Sequence, residues 1–269
     1  MGKGQMEFFA KGMWIGGTMT VPGVSGGSMA MILGIYDKLI QAVSRFFRTP
    51  AESMGILFRF LAGAALGMVL FSRLITWLLT TRANVPLRFF FLGAVAGGIP
   101  MIYRKAGIRR LGWETVAYPA IGILAVVLLS FLPAGVFLQA EMTGGRNLIL
   151  PLLGGVIIAA GLVLPGISVS QMLYMLGMYE SIMKSISSLD ILPLIPLGIG
   201  VAGGTFLVAS LLEGLLKRYP QPAYLIILGF MLGSLPELYP GIPAGAGLMG
   251  SGAAAAAGFW VLFWMSSKG

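Results

Sequence analysis

Two stretches decide how this chain folds: "TVPGVSGGSMAMILGIYDKL", from Thr20 to Leu39, and "VLPGISVSQMLYMLGMYESI", from Val163 to Ile182. Each is apolar, and each is broken near its start by proline, glycine and serine. A shift of 143 lays Pro22, Gly23 and Ser25 on Pro165, Gly166 and Ser168. Met29, Leu33, Gly34 and Tyr36 then fall on Met172, Leu176, Gly177 and Tyr179, Asp37 on Glu180, and Ser44 on Ser187. A second pair follows in the same order. "FLGAVAGGIPMIY" (Phe91–Tyr103) shares Leu, Gly, Gly, Pro and Tyr with "ILGFMLGSLPELY" (Ile227–Tyr239). Matches in one order along both halves indicate a duplication. Residues 8–133 read as one repeat, 151–266 as the other, and 134–150 as the linker, all within one membrane domain.

The 269 residues are 57% hydrophobic and 10% charged, with a mean hydropathy of +0.92. A soluble protein of this size cannot hide that much apolar surface. Runs such as Ile56–Thr80, Trp113–Leu132 and Gly245–Met265 reach membrane-spanning length. The alternating strands of an outer-membrane barrel are missing. The fold class is therefore an all-α integral membrane protein. The chain has no cysteine and no histidine, which leaves out thiolate chemistry, the usual structural zinc and a histidine base. No metal or cofactor is expected. The net charge of +9 is spread over loops, as suits anionic lipid rather than nucleic acid. No cleavable signal peptide is evident. "MGKGQMEFFAKGMW" suggests a short interfacial helix, with Phe8, Phe9, Met13 and Trp14 in lipid.

Each repeat reads as a broken segment followed by three hydrophobic helices. If the broken segments cross the membrane there are eight crossings, and lysine and arginine divide evenly between the faces. If they are re-entrant hairpins there are six, and with the N-terminus inside 13 of the 18 basic residues lie on the inner face and 4 on the outer. Basic residues prefer the cytoplasmic side, so the chain is expected to carry six transmembrane helices and two re-entrant hairpins, with both termini cytoplasmic. An odd number of crossings per repeat makes the repeats inverted, as in many secondary transporters.

Irregular backbone at membrane depth survives only when buried in protein or lining a wet cavity. Pro22 ends a descending half-helix, the glycines permit a turn, and Ser25 or Ser28 is placed to cap the ascending half. The free N–H groups of that helix start suit an anion. The anion-binding candidates are Gly23, Ser25, Gly26, Gly27 and Ser28 in loop one, and Gly166, Ser168, Ser170 and Gln171 in loop two. Arg73 lies inside an apolar run, where a charge costs about 2.5–3.5 kcal/mol. It is expected either to hold the anion or to pair with Glu213 of the matching helix. Arg59, Arg82 and Arg88 read as interfacial anchors. Asp37 and Glu180, where the hairpins leave the membrane, are candidates for coupling or gating, together with Glu213.

"KGMWIGGTMTVPGVSGGSMAMILGIYDKLIQAVS" (Lys11–Ser44) resembles the opening of a bacterial and archaeal membrane family once called domain of unknown function 368, now associated with undecaprenyl-phosphate translocation. The second "PGIS" and the "LGxxxGxxP" helices extend the resemblance over nearly the whole chain. It implies a lipid transporter in the cytoplasmic membrane rather than an enzyme. That transporter flips undecaprenyl phosphate from the outer to the inner leaflet by alternating access, recycling the carrier for the cell envelope. Its expected partners are that lipid and the surrounding membrane lipids; protons or sodium as coupling ion, and a homo-oligomer, are left open. Two rivals remain. Integral undecaprenyl-pyrophosphate phosphatases carry a similar "PGxSRS" loop, but "PGVSGGS" and "PGISVSQ" have no arginine there. An ion-coupled transporter of a small soluble anion would use the same half-helix geometry.

Overall fold

A computed structural model describes residues 3–21, 23–108, 112–131, 148–167, 169–188, 190–243 and 246–267. The described residues form helices and connecting turns, without a strand. The first half opens with α1 (Lys3–Thr18), α2 (Gly26–Ile32) and α3 (Tyr36–Ser44), followed by α4 (Pro50–Thr80), α5 (Asn84–Lys105) and α6 (Glu114–Ser130). The second half follows the same order: α7 (Ile149–Val163), α8 (Val169–Leu176), α9 (Tyr179–Ser187), α10 (Leu194–Arg218), α11 (Pro220–Gly233) with the short α12 (Leu235–Leu238), and α13 (Ala246–Ser267).

α1 and α2 form a helical hairpin. Lys11 Nζ on α1 donates to the Leu33 carbonyl at the end of α2, at 2.8 Å, so the arms enter and leave side by side. A cation there also suits the orphan carbonyls of a helix C-terminus. The turn requires glycine: Gly23 has φ +85°, and its counterpart Gly166 has +83°. Gly34 and Gly177, again 143 apart, have φ +74° and +71° and let α3 and α9 swing away from the hairpins. The halves differ at one proline. α5 runs through Pro100, whereas α11 stops at Gly233 and resumes as α12, with Pro236 in its first turn.

Four described helices, α4, α5, α10 and Gly247–Met265 within α13, are long and apolar enough to cross a membrane; α6 and α7 are shorter apolar helices. α4, at 31 residues, is about 46 Å long, beyond the roughly 30 Å of a bilayer's hydrocarbon. Large apolar side chains such as Phe58, Val69 and Trp77 are exposed along it, as a lipid-facing helix requires. The protein is a membrane protein.

In lipid, apolar contact does not by itself drive helices together, so close backbone packing has to. Glycine provides it in each major helix pair. Gly12 and Gly16 of α1 lie against Phe60 and Ala64 of α4, and Gly63 and Gly67 of α4 against Phe9 and Met13 of α1. Gly155 and Gly200 bring α7 and α10 together in the same way. The other two pairings join the halves: Gly93 and Gly97 of α5 meet Ala255 and Phe259 of α13, and Gly122 of α6 meets Gly229 of α11. Hairpin one ends up in the centre, with Met29, Met31, Ile32 and Ile35 buried among Ile102, Leu228 and Met231.

The separate interfacial helix expected at the N-terminus is not formed. α1 continues to Thr18 as the first arm of hairpin one, and Phe8 is buried beneath Lys38, whose ammonium lies 5.6 Å from its ring centre. Packing in the core beneath α3 buries Phe8 better than a membrane surface could.

A side chain at Gly67 would collide with the Met13 carbonyl, whereas one at Gly203 meets nothing within 4 Å. Gly67→Leu is therefore expected to cost about 1–3 kcal/mol by overpacking, and Gly203→Leu close to nothing. Thermal unfolding in detergent checks this; equal melting temperatures for the two variants would contradict the α1–α4 packing.

Candidate functional site

The tips of the two hairpins meet. Ser25 sits at the N-cap of α2 in extended backbone (φ −86°, ψ 133°), but its side chain does not cap the helix. Its Oγ instead accepts the backbone N–H of Gly166, at 3.3 Å, from the other tip. Gly27 backs onto loop two so closely that a Cβ there would lie 3.1 Å from Pro165 Cα. Below the tips, the buried Tyr36 hydroxyl donates to the Val163 carbonyl at 2.8 Å, satisfying a group at the end of α7. The capping expected of Ser25 or Ser28 is thus absent, because Ser25 is used across the interface and Ser28 Oγ is buried with no partner.

That unpaired hydroxyl lines a narrow cleft beside loop one. Gly23, Ser25, Ser28 and Ser234 are its polar side, and Phe91, Val95 and Leu238 are among its apolar walls. An unsatisfied buried hydroxyl costs roughly 1–3 kcal/mol, so its presence needs a reason. The first-turn amides of α2 have no intrahelical acceptors, by helix geometry. α2 has only seven residues, so local N–H and O–H donors, rather than a long dipole, set the chemistry. Ser234, whose hydroxyl donates to Met231 O at 2.9 Å, was not singled out in the sequence. The signal was a serine standing where the matching first-half helix has Gly98.

The remaining candidates are distributed unevenly. Gly23, Ser25, Gly26, Gly27, Ser28 and Gly166 belong to the two tips. Ser168 lies outside the described residues; Ser170 and Gln171 are in α8, with side chains outside them. Arg73 is not brought to the tips. Phe71, Ile75 and Leu78 of α4 pack around Val21 and Val24, while Arg73 lies roughly opposite on the helix, exposed beside Leu70, Leu74 and Trp77.

The pair expected between Arg73 and Glu213 does not form. Glu213 is engaged by the end of α3: Arg45 Nε and its terminal nitrogen donate to it at 2.8 and 2.5 Å, Ser44 also donates, and so does Lys217 of its own helix. This cluster joins α3 to α10, hence one half to the other. Asp37 pairs with Lys105 at 2.5 Å, joining α3 to the end of α5, and the Lys105 ammonium lies 5.8 Å from the Tyr224 ring centre. Glu180 is exposed on α9. Near the start of α1, a hydrogen bond from Lys11 at 2.6 Å holds the Glu7 carboxyl below its ordinary range.

Comparison with known proteins adds a family. The model described as VCA0040-like, undecaprenyl phosphate translocase-like, matches residues 15–246. A Vibrio cholerae protein named polyprenyl-phosphate transporter is 27% identical over 87% of this chain and 78% of its own length. A Staphylococcus aureus protein of the same name is 30% identical over 87% of this chain and 86% of its own. No solved structure matches the chain significantly.

Two substitutions separate the two buried hydroxyls. Ser28→Ala removes an unpaired group and is expected to stabilise the protein by roughly 1–3 kcal/mol, whereas Tyr36→Phe removes a made bond and is expected to destabilise it by about 0.5–1.5 kcal/mol. Thermal unfolding in detergent reads both. A destabilised Ser28→Ala protein would mean that the hydroxyl has a partner.

Proposed function

The chain belongs to the undecaprenyl phosphate translocase-like family, and from that premise we propose that it carries undecaprenyl phosphate from the outer to the inner leaflet of the cytoplasmic membrane. The observation that carries the reading is the meeting of the two hairpin tips at Ser25 and Gly166, within an apolar all-helical molecule. The relatives' shared name supports polyprenyl phosphate as the substrate.

In this reading both hairpins are re-entrant, the two repeats are inverted, and the basic loops face the cytoplasm. The phosphate binds between the tips. It accepts from the amides and hydroxyls around Ser25–Ser28 and from the loop-two segment Gly166–Gln171, with Gly23 and Gly166 forming the turns. Ser25 holds the Gly166 N–H in the meantime. A phosphate oxygen is the stronger acceptor, because the bond becomes charge-assisted. It displaces the serine, and the tips part.

Arg73, exposed on the apolar side of α4, meets the anionic head group as it arrives from the bilayer rather than at the tips. Its planar fork suits phosphate and stays ionised when partly desolvated. One repeat then rocks against the other, and the Glu213–Arg45 cluster is the closed gate on the inner side. The equivalent place in the other half carries Thr76 and Ser188, with no charges to match, so the two gates differ in strength. Asp37, paired with Lys105, and Glu180 remain the carboxylates for coupling to protons or sodium. No hydrolysis is part of this reading, since neither tip carries the arginine of the phosphatase loop.

Topology and transport are tested together. Cysteines introduced at Leu148 and Leu192, the exposed flanks of hairpin two, are expected to label from outside, and one at Pro50 from the cytoplasm. Labelling of Leu148 and Leu192 from opposite sides would contradict the re-entrant hairpin. In proteoliposomes, Arg73→Ala is expected to slow inward movement of polyprenyl phosphate about ten- to hundredfold, the loss of one charge-assisted contact. Arg73→Lys should recover part of it. An Arg73→Ala protein that transports at the parent rate would remove Arg73 from the path.

A further inference from the structure

A lipid phosphate joins a head group to a hydrocarbon chain through one ester oxygen. A tip that binds the phosphate therefore has to present apolar surface right beside it. A second cleft opens between the C-terminal end of α6 and the helices α7 and α8. Its enclosed volume is about 70 Å³, and it is open at its mouth. Gly166 and Ile167 of loop two form one end, and Leu129, Ile157 and Met175 are among the side chains that wall it. We infer that this cleft seats the isoprenoid chain of the transported lipid, its first units lying against Ile167 while the phosphate occupies the tips.

The inference rests on the polyprenyl phosphate reading above and goes beyond it, because it places the chain. Three features of the lining support it. Gly166 belongs both to the inter-tip hydrogen bond and to the apolar cleft, so head and chain positions are contiguous. Methionines from α8 line the wall, and their flexible thioethers fit a branched, unsaturated chain of irregular outline.

The third feature separates polyprenyl from diacyl lipids. Among the described lining residues Ser130 is the one polar side chain, and its hydroxyl already donates to the Val127 carbonyl at 2.7 Å. The described lining offers the ester carbonyls of a glycerolipid no free side-chain donor, and burying them unpaired is unfavourable. A pure hydrocarbon chain meets no such penalty.

The test uses the full chain in detergent and two ligands that share a head group: a long-chain polyprenyl phosphate and the five-carbon dimethylallyl phosphate. Leu129→Trp fills the cleft. It is expected to weaken binding of the long-chain lipid by about tenfold or more, the equivalent of a pair of buried methylenes, and to leave dimethylallyl phosphate unchanged. Met175→Trp should act likewise.

In the unsubstituted protein, a polyprenyl phosphate bearing a photoreactive group on its first isoprene unit is expected to label α6 or α8 at the cleft. Polyprenyl phosphate, but not phosphatidic acid, should compete. Labelling confined to the exposed face of α4, equal competition by phosphatidic acid, or full long-chain binding by both tryptophan variants would overturn the chain site and leave the head-group reading standing. If the parent protein binds neither isoprenyl phosphate, the functional reading fails, and the chain site with it.

Discussion

A main chain that interrupts its helix at membrane depth has to hide its amides and carbonyls in protein. In this chain the two hairpin tips satisfy such groups against each other. The Gly166 amide goes to Ser25, the Val163 carbonyl to Tyr36, and Gly27 closes onto Pro165 without a side chain between them. The same polar groups that make the tips costly to bury make them suitable for an anion. In the proposed function, the contact that satisfies the Gly166 amide is the one a phosphate replaces.

The helices around the tips are held by close glycine contacts, and their pairing determines what can move. α1 with α4 and α7 with α10 are pairs within a half. α5 with α13 and α6 with α11 are pairs between halves, so the molecule cannot separate into two independent lobes. The rocking proposed above therefore has to carry these inter-half glycine contacts with it. The clusters at Glu213 and Asp37, each reaching from α3 to another helix, are the polar contacts such rocking would break.

Much of the main-chain design was legible in the sequence because it is written twice. The hairpin turns and the positive-φ glycines Gly23, Gly34, Gly166 and Gly177 fall on residues that recur at a shift of 143, and glycine at a left-handed position leaves a clear trace. Features outside the repetition were not legible. Arg45 has Ser188 as its counterpart, so the matches between the halves do not point to it, and Ser234 shows only as a mismatch with Gly98. The pairing of Arg73 with Glu213 failed for a related reason. Helical matching aligns residues along an axis but does not say which face meets which neighbour, and α4 turns Arg73 outward while α3 reaches Glu213 first. The break between α11 and α12 was hidden too, since Pro100 and Pro236 match while only the second interrupts its helix.

The account depends most on the tips being a closed site that has to open. The chain has no cysteine of its own, and a side chain at Gly27 would lie 3.5 Å from the Leu164 carbonyl carbon. The double variant Gly27→Cys with Leu164→Cys, oxidised and reduced in proteoliposomes, therefore tests it directly. The expected result is that the oxidised protein carries no polyprenyl phosphate, that reduction restores transport, and that bound polyprenyl phosphate slows the cross-linking. Transport at the same rate with the tips cross-linked would contradict the account.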